Sequence, residues 1–121
     1  MHIKKHFFLL FYLEGCEGTN NWGIKMKDAL LAKDDFNVIL TDWKKGATKS
    51  LGTSSGNTRI VGVMLAELAY FLISENGNSP DLANNFYLIG FSLGGHVVGF
   101  AGSHLQTKYS MIFGRITGKI L

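Results

Sequence analysis

The residues best arranged to do chemistry are Gly90-Phe91-Ser92-Leu93-Gly94, a glycine-x-serine-x-glycine run. A serine hydroxyl becomes an effective nucleophile when it is lifted to the apex of a sharp strand-to-helix turn, within reach of a base and beside backbone N–H groups that receive an oxyanion. Side chains flanking such a turn would make strand and helix collide, and Gly90 and Gly94 supply the clearance. The chemistry this predicts is acyl transfer through a covalent ester of Ser92. The Leu93 backbone N–H and the N-terminal dipole of the following helix stand beside the developing negative charge. The bare pattern also arises by chance in a chain with 15 glycines among 121 residues, so the flanking elements must support it.

They do. Phe86-Tyr87-Leu88-Ile89 is short, apolar and β-prone, and residues 93–103 read as a helix kept slim by Gly95, Gly99, Ala101 and Gly102. Upstream, Trp22, Met26, Ala29 and Leu30 recur at helical spacing within residues 22–32, and residues 36–41 read as a second strand. A polar loop then runs to Gly56. Asn57 is placed to cap a helix whose Ile60, Met64, Leu68 and Leu72 form one apolar stripe, stopped by Gly77 and Pro80. Residues 111–117 read as a fourth strand. Strands alternating with helices predict an α/β fold, a mostly parallel sheet with flanking helices joined by right-handed crossovers.

The first residues carry two readings. His2, Lys4, Lys5 and His6 precede the apolar residues 7–13, which fit a buried central strand, while the same basic and apolar regions ending at Gly15 also fit a secretory leader. The strand is the preferred reading, because the apolar region is short and Glu14 sits poorly beside a cleavage site.

Composition narrows the function classes. With 46% hydrophobic and 17% charged residues and one proline, the chain builds a core and forms at most one compact domain. Cys16 stands alone, so no internal disulfide and no cysteine-rich zinc site arise. The net charge of +3 is spread among acids without aromatic-basic interleaving, which argues against nucleic-acid binding. No continuous apolar run approaches the roughly 18–20 residues of a membrane-spanning helix. Gly46-Ala47-Thr48-Lys49-Ser50 lacks the glycine before lysine that a phosphate loop needs, and no dinucleotide fingerprint occurs. No cofactor and no metal are implied.

With those residues in view, the chain resembles the animal pancreatic-type lipases of the α/β-hydrolase superfamily, which include phospholipases that cut the first acyl ester. The resemblance rests on Trp22 with residues 26–31, on residues 34–40, on Asp42-Trp43 and on Asn57-Thr58-Arg59-Ile60-Val61-Gly62. It continues through residues 88–96 and Gly114-Arg115-Ile116-Thr117-Gly118, all in family order. It implies a partial α/β-hydrolase fold and a secreted enzyme acting on a lipid ester at a lipid–water interface, with Ser92 as nucleophile.

The departures bear on mechanism. Where the family has His-Gly-aromatic after the first strand, this chain has Leu10-Phe11-Tyr12; Tyr12 retains a backbone N–H for the oxyanion, without the glycine that shapes the turn. After Gly118 the family continues Leu-Asp-Pro, and its aspartate is the triad acid; here Lys119-Ile120-Leu121 follows, so Ile120 takes the acid's position. The family places its lid and catalytic histidine beyond the position of Leu121. The residues themselves say the same. Such hydrolases order their triad Ser, acid, His, yet all nine Asp and Glu residues precede Ser92. Of the two downstream histidines, His96 reads as a packing residue and His104 as a complement to the helix C-terminal dipole.

Residues 1–121 are therefore expected to form a single partial lipase domain, truncated before the triad acid, lid and histidine. It should be inactive by itself and, with apolar faces uncovered, prone to aggregate. The alternatives are a catalytically dead lipase-like domain that binds lipid or protein, and a non-functional fragment.

Overall fold

The computed structural model describes residues 6–12, 22–42, 51–91 and 93–119. In chain order these form β1 (His6–Tyr12), α1 (Trp22–Lys33), β2 (Phe36–Asp42), α2 (Leu51–Glu75), α3 (Pro80–Ala83), β3 (Phe86–Phe91), α4 (Leu93–Tyr109) and β4 (Arg115–Lys119). The four strands make one sheet in the order β2-β1-β3-β4, with every pairing parallel. The apolar run near the N-terminus is thus one of the two inner strands, as its strand reading requires of a segment without polar alternation.

Register sorts the strand residues between the two faces. Leu88 pairs with Ile116 and points, with Phe86, toward α4 and α2; Tyr87 pairs with Arg115 and Ile89 with Thr117 on the face that α1 shares. The core lies on the first face, where Ile73, Phe86, Leu88, Val97, Val98, Ala101 and Leu105 are all fully buried. Burying each large apolar side chain stabilises by about 1.5–3 kcal/mol. Met111 and Phe113, expected inside the last strand, instead close the end of this core, and the strand itself starts at Arg115. Helix α4 runs six residues past the expected end, because Leu105 continues the buried face of Val98 and Ala101.

Helix α2 departs most from expectation. It starts at Leu51, so Asn57 lies inside it rather than capping it. The weak helix formers at 52–56 extend it because propagation, unlike nucleation, adds a hydrogen bond for each residue fixed. Its facing is also reversed. Ile60, Met64 and Leu68 are exposed at 59%, 65% and 40%, and only Leu72 of the expected stripe is buried. The inward face is Thr58, Gly62, Leu65, Ala66, Ala69, Leu72 and Ile73, whose small members admit α4 closely. A Cβ on Gly62 would come 2.6 Å from the Phe100 Cβ and 2.8 Å from the Val97 carbonyl oxygen. Within the same helix, residues Asn57–Glu75 pass for a membrane-length segment by length and composition alone, which is weak evidence for a span, and 39% of that stretch is buried in the protein. It averages to that apolarity despite Arg59 and Glu67, so no uninterrupted run flags it.

The helix ends as its residues dictate. Gly77, at φ 100°, and Asn78, at φ 52°, turn the chain through left-handed conformations while the Asn78 N–H returns to the Ile73 carbonyl at 2.9 Å. Pro80 opens α3 rather than merely stopping α2, with the Ser79 hydroxyl accepting the Asp81 N–H. In α1, Met26 and Leu30 are half-buried and Ala29 is exposed.

Candidate active site

Strand β3 ends at Phe91 and α4 begins at Leu93, so the strand-to-helix junction falls where the glycine-x-serine-x-glycine run puts it. Ser92 itself lies outside the described residues, as does Ile120. The glycines flanking the junction act as anticipated. Gly90 is buried, and a Cβ there would run into the Gly94 carbonyl carbon and oxygen. Gly95 lies under Gly118, whose added Cβ would stand 3.2 Å from the Gly95 Cα, and a Cβ on Gly102 would come 2.5 Å from the Ile116 Cδ1. Gly99, by contrast, is exposed and faces open space, so it contributes nothing to the approach of helix to sheet.

Register brings the other named positions to the same edge of the sheet. Phe11 of β1 pairs with Gly90 of β3, so Tyr12, the last residue of β1, belongs to the C-terminal edge from which α4 departs. Phe91 pairs with Lys119, the last residue of β4, so β3 and β4 end together at that edge. Leu93 is the first residue of a 17-residue helix, whose opening N–H groups lack intrahelical acceptors and carry the positive end of the dipole.

The histidines are placed differently from expectation. His96 is exposed rather than packed. His104 has a side-chain partner: its Nε2 lies 2.7 Å from the Glu67 Oε2 on α2. Glu67 also accepts the Tyr109 O–H at 2.7 Å on Oε1 and the Lys108 ammonium at 3.2 Å on Oε2. The Tyr109 hydrogen bond above all, then those of His104 and Lys108, lower the Glu67 carboxyl from 4.5 to about 2. Tyr109 in turn stacks on Tyr70, with centroids 3.6 Å apart and planes 4° from parallel. This carboxylate–imidazole pair stands well away from the start of α4. His104 is eleven residues into α4 from Leu93, roughly 16 Å along the axis at 1.5 Å per residue. The pair clasps α4 to α2. Glu67 and Tyr109 are 42 residues apart, and no local pattern in the chain signals their meeting.

Among the described residues no group of three or more His, Cys, Asp or Glu side chains is placed to hold a metal ion.

A parallel sheet whose third strand ends in a glycine-flanked turn into a close-packed helix defines the α/β class that the sequence resembles. Comparison with known proteins gives the family: the lipase profile matches residues 4–119, and the chain belongs to the lipase family. It is 39% identical over 102 residues to pancreatic lipase-related protein 2 of Rattus norvegicus, covering 84% of this chain and 20% of that protein. It is 41% identical over 110 residues to a phospholipase A1 of Polybia paulista, covering 80% of this chain and 33% of that protein. Inactive pancreatic lipase-related protein 1 of Canis lupus familiaris is 36% identical, over 84% of this chain and 20% of its own length. The chain therefore spans about a fifth to a third of these relatives.

Proposed function

We propose that this chain carries the nucleophile half of a secreted, lipid-directed carboxylic ester hydrolase, with Ser92 as nucleophile. The backbone N–H groups of Leu93 and Tyr12 receive the oxyanion, and the substrate is the acyl ester of a triacylglycerol or the first acyl ester of a phospholipid. The observation that carries this reading is the junction between β3 and α4, where Gly90 admits the Gly94 backbone so closely that no Cβ fits. Hydrolysis by such a site proceeds when the serine hydroxyl gives its proton to a base and attacks the acyl carbonyl. The alcohol leaves, and water then releases the acid from the acyl-serine.

The 121 residues alone lack two of the three groups this requires. No acid follows Ser92, Ile120 stands at the acid's position, and neither His96, which is exposed, nor His104, which is held by Glu67, serves as base. Loss of the base in a serine triad removes on the order of a million-fold in turnover in a well-studied protease. A lipase-like domain without catalysis is the second reading, favoured by the relative that bears the word inactive in its name.

The test has two arms. The chain alone should show no Ser92-dependent hydrolysis of a short-chain aryl ester and little labelling by a fluorophosphonate. A chimera in which residues 7–118 replace the matching segment of the rat relative should hydrolyse that ester, and should lose the activity on Ser92→Ala. A folded chimera without activity defeats the nucleophile assignment; ordinary turnover by the chain alone defeats the account of its missing base.

A further inference from the structure

The turn that ends α2 reads Glu75-Asn76-Gly77-Asn78, and no other asparagine in the chain precedes a glycine. Asparagine is a thermolabile residue, and before glycine its side-chain amide is most prone to cyclise, because glycine has no Cβ to shield its nitrogen as that nitrogen attacks the asparagine Cγ. The fold leaves this pair open. Gly77 is exposed at φ 100°, and a Cβ built on it would meet nothing within 4 Å. The N–H groups on either side, of Asn76 and Asn78, both donate to the Ile73 carbonyl, at 3.1 and 2.9 Å, while among the described residues the Gly77 N–H has no acceptor. Its proton is therefore accessible to base, which is the first requirement of cyclisation. Asn76 is half-buried, and its amide is restrained by one hydrogen bond among the described residues, from Nδ2 to the Leu72 carbonyl at 2.8 Å. That carbonyl belongs to the last turn of the helix, where backbone acceptors lack intrahelical donors, so the side chain serves as a cap. Ser74 and Glu75 of the same turn are exposed, and opening a helix end costs less than opening its middle.

We propose that Asn76 is a site of spontaneous deamidation, and that the reaction is an ageing switch on the end of α2. The Gly77 nitrogen gives its proton to hydroxide and bonds to the Asn76 Cγ. The Cγ–Nδ2 bond breaks, and the nitrogen takes a proton from water and leaves as ammonia, closing a cyclic imide. Water opens the imide at either carbonyl, so the products are aspartate and isoaspartate. Both lack the Nδ2 donor that caps Leu72. Both carry a carboxylate beside Glu75, at the negative end of the helix dipole. Isoaspartate also adds a methylene to the main chain between the two N–H groups that share the Ile73 carbonyl. Leu72 and Ile73 belong to the hydrophobic core, so loss of the cap reaches the packing of α2 on the sheet. The reaction needs water alone and does not involve Ser92, so it stands apart from the ester-hydrolysis reading.

The test is peptide mapping by mass spectrometry of the 121-residue chain, kept in dilute solution at mildly alkaline pH, folded and in urea, with isoaspartate read by an isoaspartate-specific methyltransferase. In the folded chain, amide loss at Asn76 should run at least tenfold faster than at Asn78, Asn84 or Asn85, and within about tenfold of its own rate in urea. Isoaspartate should exceed aspartate. Gly77→Ala should slow the reaction at least tenfold in urea as well as in the folded chain, which separates local chemistry from strain at φ 100°. Asn76→Asp supplies one product directly and should lower the thermal midpoint at neutral pH. The gap should narrow as pH falls through the aspartate range, about 3.9, because the protonated carboxyl loses its charge and donates to Leu72 again. Amide hydrogen exchange over residues 72–78 reads the same loosening where aggregation on heating hides the midpoint. Amide loss more than tenfold slower in the folded chain than in urea overturns the proposal, since the fold then shields the pair, as does faster loss at another asparagine. Aspartate without isoaspartate indicates direct hydrolysis and equally overturns it. An Asn76→Asp chain with unchanged midpoint and unchanged exchange overturns the switch.

Discussion

The two faces of the sheet draw on similar amino acids and reach different degrees of closure. On the α2 and α4 face, contact is made by what is missing: Gly62 under Phe100, Gly90 under Gly94 and Gly118 under Gly95 bring backbones together, Gly102 makes room for the Ile116 side chain, and Ala66, Ala69 and Ala101 are fully buried on the same face. On the α1 face the large side chains Leu30 and Ile89 are only half-buried, and a groove remains. Tight layering here depends on small residues at crossing points more than on the number of large apolar ones. Protein interiors pack near crystalline density, so a helix held off by even one Cβ forfeits much of the dispersion contact along its length.

The sharpest way to break this comparison is Gly90→Ala. The added Cβ meets backbone, which cannot rotate aside, so the variant should lose about 3 kcal/mol or more, read as a fall in the urea midpoint with m unchanged. A loss below about 1 kcal/mol would mean that the junction yields and the close approach is not required. Next in size comes a matched pair: Leu105→Ala, in the closed face, should cost about 3 kcal/mol, and Ile89→Ala, beside the open groove, about 1 kcal/mol. Equal costs would erase the distinction between the faces.

The smallest effect concerns the clasp between α2 and α4. Because the Glu67 carboxyl is lowered to about 2 from 4.5, its contribution to stability is complete above pH 4.5 and fades as pH falls from there toward 2. Tyr109 is raised from 10.0 by its hydrogen bond to Glu67. Lys108 is raised from 10.5 by its hydrogen bonds to Tyr109 and then Glu67. Their contributions are therefore complete below pH 10 and fade as pH rises beyond it. Thermal midpoints should be level between about pH 5 and 9.5 and fall on both sides. In Glu67→Gln the acid-side fall from this group should vanish, with a loss of at most about 1 kcal/mol at neutral pH for so exposed a carboxylate.

What the chain disclosed about itself follows from where its signals are local. The β3 strand, the glycine junction and the onset of α4 were legible because pattern, turn chemistry and element order agree within about twenty residues. The α/β class was legible for the same reason. The facing of α2 was not: with Ile60, Met64, Leu68 and Phe71 outside and Leu65, Leu72 and Ile73 inside, the helix is apolar all round, and spacing cannot choose a side. Large residues suggested the stripe, whereas Gly62 and two alanines decided it. The Glu67 partner of His104 was not legible, because it lies 37 residues away on another helix. The catalytic assignments of Ser92, Leu93 and Tyr12 rest on motif and resemblance, with the strand register bringing Tyr12 and Leu93 to a common edge.

The inner position of β1 has a consequence during synthesis. Its partner on one side is β3, and Phe7 meets Phe86, 79 residues later in the chain. At a translation rate of about 5–20 residues per second, the ribosome needs roughly 4–16 s after making β1 before that partner exists. For those seconds the segment His-Phe-Phe-Leu-Leu-Phe-Tyr has at most β2 beside it, and its composition is that of a sticky, aggregation-prone strand. The yield of this polypeptide in a cell should therefore respond to elongation speed over residues 13–86 and to the supply of chaperones that shield nascent chains.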